Sequence, residues 1–151
     1  MLVYERKITL GSWLKTFFTK KKTFSKTLVF NTINSNTVDT IQVTIDVIIP
    51  TIGRKKYLYD VLKDLSVQTH LPKNVIIVEQ NPTQGSQPEL DFINNETWPF
   101  TIKHFFIHQA GACNARNMAL AQVTSDWIFF ADDDIRFEND LISSTLQTAN
   151  H

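Results

Sequence analysis

Cysteine is nearly absent. Cys113 is the only one in 151 residues, so no internal disulfide can form, and a reducing compartment fits best. With only four glycines and five prolines the chain contains no low-complexity tract, and no internal repeat appears. Charge of one sign is not in excess: Lys plus Arg and Asp plus Glu number 15 each. That balance gives no bulk attraction to nucleic acid or anionic lipid, so no nucleic-acid partner is expected. No apolar run approaches the roughly 20 residues needed to span a bilayer. The first ten residues also lack a signal-peptide core, because Glu5, Arg6 and Lys7 interrupt them. These absences make a cytoplasmic location the expectation. What is present, 42% hydrophobic and 20% charged residues, suits one domain with a real core.

The charge is unevenly placed. Residues 6–26 are basic, with Lys20, Lys21 and Lys22 in a row and Trp13, Phe17, Phe18 and Phe24 interleaved. Residues 1–42 are expected to form a leader outside the main core. One reading of its aromatic spacing is an amphipathic helix at a membrane surface or on a partner, giving peripheral contact with the inner face of a membrane. The other, preferred here, is a solvated basic face whose aromatics pack on the domain that follows.

From residue 43 the pattern sharpens. VTIDVII, 43–49, is β-branched and apolar, as a buried strand should be. Tyr57, Leu58, Val61, Leu62 and Leu65 then recur at helical spacing. NVIIV (74–78), IKHFFI (102–107) and WIFF (127–130) predict three further strands. A short helix over 89–95, a helix over 112–122 and a last one around Leu141 to Leu146 separate or follow them. Such alternation implies right-handed crossovers and an α/β fold, a mostly parallel sheet with helices on both faces. Ligands of such sheets bind beyond the carboxyl ends of the strands, so the residues after each strand matter most.

After the last strand come Asp132, Asp133 and Asp134. Adjacent carboxylates about 4 Å apart, at an effective dielectric near 20, repel by about 4 kcal/mol per pair. An exposed acidic turn capping the next helix would avoid this through hydration. Directly after WIFF, at the strand end where a ligand should sit, a bridging cation is the preferred reading. Oxygen-only ligands suit Mg²⁺ or Mn²⁺, which would take its remaining ligands from a substrate's phosphates.

Four stretches, DVIIPTIGR (46–54), VIIVEQNP (75–82), GACNARN (111–117) and WIFFADDD (127–134), occur in this order. Together they resemble the nucleotide-sugar-binding half of the family 2 glycosyltransferases, which have the GT-A fold. The resemblance implies a donor pocket lined by Pro50 and Thr51, with Glu79 at the position that contacts the base. Gln80-Asn81-Pro82 departs from the family's usual Asp-Gly-Ser. Gly111, Arg116 and Asn117 match the stretch where a helix start approaches the donor. Asp132 to Asp134 match an Asp-x-Asp element: Asp132 toward ribose or metal, Asp133 beside the donor, Asp134 on the metal. Arg54 either reaches phosphate or starts a helix in solvent, and Arg116 either pairs with phosphate or forms a salt bridge to the aspartates. Cys113 and His104 read as structural.

The implied chemistry is inverting transfer of a glycosyl group from a nucleotide-diphosphate sugar to the hydroxyl of a saccharide or other acceptor. Its general base is expected downstream of His151, since Glu138 and Asp140 read as helix-start acids. Residues 43–151 are therefore expected to be a partial GT-A domain without its acceptor half. The alternatives are a module that binds a nucleotide or nucleotide sugar without turnover, and an aspartate-based phosphatase or nucleotidyltransferase on a related sheet. The phosphatase is disfavoured because its acids would follow the first strand.

Overall fold

The computed structural model describes residues 18–20 and 43–149. Four strands, β2 (Ile45–Thr51), β3 (Asn74–Gln80), β4 (Thr101–Ile107) and β5 (Trp127–Phe130), pair in parallel in the order β5-β2-β3-β4. The helices α1 (Lys55–Ser66), α2 (Phe92–Asn95), α3 (Ala112–Leu120) and α4 (Leu141–Ala149) connect or follow them. Among the described residues no helix is long and apolar enough to cross a membrane.

The alternation of each strand divides the core between two faces. Ile45, Val47 and Ile49 of β2 and Val75 and Ile77 of β3 meet Leu58, Val61, Leu62 and Leu65 of α1, together with Leu141, Ile142 and Leu146 of α4. Ile48, Ile76 and Val78 point the other way, onto Ala115 and Ala119 of α3. The alanines let α3 lie close to the sheet. Full burial of an aliphatic side chain contributes about 1.5–3 kcal/mol, so both faces hold the sheet firmly.

Three residues of the leader depart from expectation. Phe18–Lys20 form a strand, β1, antiparallel to β5, so this piece joins the sheet instead of standing outside it. The reason is an edge effect: β5 has β2 on one side only, and its other row of backbone groups needs partners. The rest of the leader, including the helical reading of residues 6–26, lies outside the described residues.

Two strands also run further than their composition suggests. β2 continues through Pro50 and Thr51, paired with Val78 and Glu79 of β3. Pro50 is tolerated because its missing N–H would face β5, whose ladder with β2 ends at Ile48 and Phe130. At the amino ends, buried Asp46 ties three strand starts together. It accepts from Asn74 Nδ2 (2.7 Å), Thr124 N (2.7 Å), Ser125 N (3.2 Å) and Ser125 Oγ (2.5 Å).

Candidate functional site

The segment after β5 is braced on both sides. Arg136 gives a two-pronged bond to Asp64 of α1, 2.7 Å from each nitrogen, and Phe137 N donates to the same carboxylate at 3.0 Å. Gln68, just past α1, donates to Glu138 O (2.7 Å) and accepts from Ile142 N (3.2 Å). Asp132 to Asp134 therefore sit on a fixed ledge at the carboxyl edge of the sheet, where an α/β fold binds ligands.

There they face a cleft of about 300 Å³. Pro50, Thr51 and Ile52 at the end of β2 form one wall, with Arg54, while Gln80 lies at the end of β3. Gly111, Ala112 and Arg116 of the α3 start close the other side. Pro50, Thr51, Arg54, Gly111, Arg116 and all three aspartates thus line one cleft.

Each aspartate is engaged by at least one neighbouring side chain. Asp132 Oδ1 accepts from Arg116 Nη2 at 2.7 Å. Asp133, 5% exposed, accepts from Thr51 Oγ1 at 2.6 Å on one oxygen and from Arg54 Nη1 at 3.2 Å on the other. Asp134 Oδ2 accepts from the same Arg54 nitrogen at 2.6 Å. The salt-bridge reading of Arg116 is realised, whereas Arg54 pairs with two of the aspartates, an arrangement neither of its readings included. Burial pushes the Asp133 carboxyl above its ordinary value, against the Thr51 hydrogen bond and the Arg54 charge, which hold it down. Asp133 and then Asp134 push the Arg54 guanidinium above its ordinary value.

Two guanidiniums against three carboxylates leave the cluster with one net negative charge. Among the described residues Asp132 Oδ2 and Asp134 Oδ1 carry no hydrogen bond, and both side chains are half exposed, 51% and 49%. Their hard oxygens suit Mg²⁺ or Mn²⁺. Among the described residues no three acidic, histidine or cysteine side chains converge into a cage. The site consequently fits an ion that takes most of its ligands from substrate and water, the usual habit of Mg²⁺.

Two expected residues lie elsewhere. Glu79 belongs to the strand, not to the loop after it, so alternation turns its carboxylate away from the cleft. It accepts from Glu89 N (2.8 Å) and lies 2.8 Å from His104 Nε2 of β4. His104 is structural, as its spacing suggested. Asn117 is exposed on α3 and lines no part of the cleft. Cys113 is exposed at the start of α3 instead of packed.

In place of Glu79 the cleft receives its neighbour Gln80. It is buried, accepts from Gly111 N at 2.7 Å and reaches Thr51 O at 3.4 Å, so it spans the two walls. Parity along β3 was the available signal: Gln80 shares a face with Ile76 and Val78. Gly111, at φ +153°, takes a backbone conformation that glycine favours as it turns into α3.

Sheet order, crossovers and this acid-rimmed cleft define the GT-A class of α/β domain. The sequence profile of Glycosyl transferase family 2 matches residues 46–151, and the chain belongs to that family. No protein of curated function matches it in sequence. Among solved structures it is similar to TarS of S. aureus, at 21% identity and a TM-score of 0.60, covering 72% of this chain and 20% of that one. TarS 1–349 in complex with UDP gives 21% and 0.60, and the complex with UDP-GlcNAc 21% and 0.58, each over 72% of this chain. The chain spans 20% to 32% of the length of these structures, and the likeness shows the fold.

Proposed function

We propose that this chain is the donor-binding half of a glycosyltransferase that holds a nucleotide-diphosphate sugar through a divalent cation and delivers the glycosyl group, with inversion, to an acceptor hydroxyl. The observation that carries the reading is the convergence on one cleft of three aspartates, two arginines and a helix start, brought from three separate parts of the chain. A cleft of this size stands at the lower end of ligand-site volumes, and its lining suits the diphosphate portion of a donor.

In this reading Asp134 and Asp132 hold Mn²⁺ or Mg²⁺ with their free oxygens. The ion, when bound, stabilises charge on the departing diphosphate. Arg116 and Arg54 supply further positive charge, and the first turn of α3 offers backbone N–H groups and its positive dipole end to phosphate. Thr51 keeps Asp133 oriented, and Gln80 fixes the spacing of the walls. The nucleoside-contacting role inferred for Glu79 is dropped, since its carboxylate is engaged behind the sheet. In this reading the acceptor site and the general base are supplied by residues outside this cleft.

Because TarS binds UDP and UDP-GlcNAc, UDP is the probe to try first. Calorimetric titration with UDP and Mn²⁺ should give binding that Asp134→Asn abolishes. Unchanged metal-dependent binding by that variant would refute the metal assignment.

A further inference from the structure

Arg54 stands immediately before α1, and a single nitrogen, Nη1, serves two carboxylates: Asp133 Oδ1 at 3.2 Å and Asp134 Oδ2 at 2.6 Å. The two acids are not equivalent. Asp133 is buried and keeps Thr51 on its other oxygen, whereas Asp134 is half exposed and its other oxygen has no hydrogen bond among the described residues. The Arg54 side chain is itself 47% exposed, and its backbone is fixed independently through Leu58 N to Arg54 O at 3.0 Å. The guanidinium can therefore leave Asp134 without disturbing the helix. An exposed ion pair of this kind is cheap to break. Arg116 is placed differently, within α3 and paired with one aspartate, Asp132, among the described residues.

We infer that Arg54 is a displaceable internal counterion. It holds the acidic ledge while the cleft is empty, yields Asp134 to the arriving cation and turns onto the diphosphate, so that cation and nucleotide bind cooperatively through this side chain. The inference rests on the metal–diphosphate reading above. Charge balance supplies the physics. A dication added beside Arg54 and Arg116 reverses the sign of the cluster and meets repulsion. A diphosphate alone meets the carboxylates. Arriving together they match, provided one guanidinium moves from acid to phosphate.

The test is Mn²⁺ binding to the full chain, read from the free-ion signal in electron paramagnetic resonance, with and without UDP. Arg54→Gln should bind Mn²⁺ alone about fivefold more tightly than wild type, the worth of one exposed ion pair. The factor by which UDP tightens Mn²⁺ should shrink at least as much, and by reciprocity so should the factor by which Mn²⁺ tightens UDP. Lys55→Gln removes the same charge one residue away, where Lys55 faces Asp91 at 3.7 Å, and should leave each value within about twofold. Equal behaviour of the two variants would reduce the effect to bulk charge and overturn the inference. Wild-type values in Arg54→Gln would overturn it too, while leaving the cleft's assignment intact. Failure of wild type to bind either probe would sink both.

Discussion

Thr51→Val tests the site through its most buried contact. Valine keeps the shape of threonine and removes only Oγ1, which donates to Asp133 Oδ2 at 2.6 Å where both residues are buried. A hydrogen bond to a charged group contributes about 1.5–3 kcal/mol, and the remaining Arg54 contact at 3.2 Å offsets part of the loss. We expect a deficit of about 2 kcal/mol near neutral pH, a fall in Tm of about 5 °C for a domain of this size. The deficit should depend on pH. Asp133 is raised above its ordinary 3.8, so the folded state binds that proton more tightly than the unfolded one. Its contribution favours folding below the ordinary value and is withdrawn as pH rises through the raised one. Loss of the Thr51 donor raises Asp133 further, so the valine penalty should be complete at neutral pH and shrink toward acid. Urea unfolding of both proteins near neutral pH and near the ordinary carboxylate value measures this directly. A penalty equal at both, or below about 0.5 kcal/mol at neutral pH, would show that Asp133 is not the buried anion described.

Further outcomes follow from other contacts. Asp46→Asn puts an amide among four donors at the sheet's amino end and should cost about 3 kcal/mol in thermal unfolding followed by circular dichroism. Asp126 is held below its ordinary 3.8 chiefly by its bond from the Thr44 backbone, so its contribution is present above that value and lost as pH falls through the lowered one. The stability gap between wild type and Asp126→Asn should accordingly close on acidification. Gly111→Ala strains a φ of +153° by about 1–2 kcal/mol without a collision, since the new Cβ meets only Asn114 Cβ at 3.8 Å. It should weaken UDP binding in titration while the protein stays folded.

Continuous apolar, β-branched runs made the strands readable, because β2 and β3 are buried on both faces, and helical spacing revealed α1, which buries one. β1 was not readable: a three-residue strand carries no period, and its pairing depends on an edge that only the assembled sheet exposes. The acidic ledge was recognisable from WIFFADDD, yet its internal neutralisation was not. That Arg54 and Arg116, far apart in the chain, reach different aspartates depends on where two helices begin. Glu79 was assigned by its place after an apolar run. That reasoning failed because the run's hydrogen bonding continues two residues past its last valine.

That continuation makes Glu79 and Gln80 neighbours in sequence that serve opposite sides of the molecule. Inserting a single residue between Asn74 and Val78 would carry Glu79 into the place of Gln80, setting an anion in the cleft where the proposed donor's diphosphate would lie and leaving a valine under the histidine. The discrimination between an uncharged and a hostile pocket floor is thus stored as a count of residues, odd or even, along one strand.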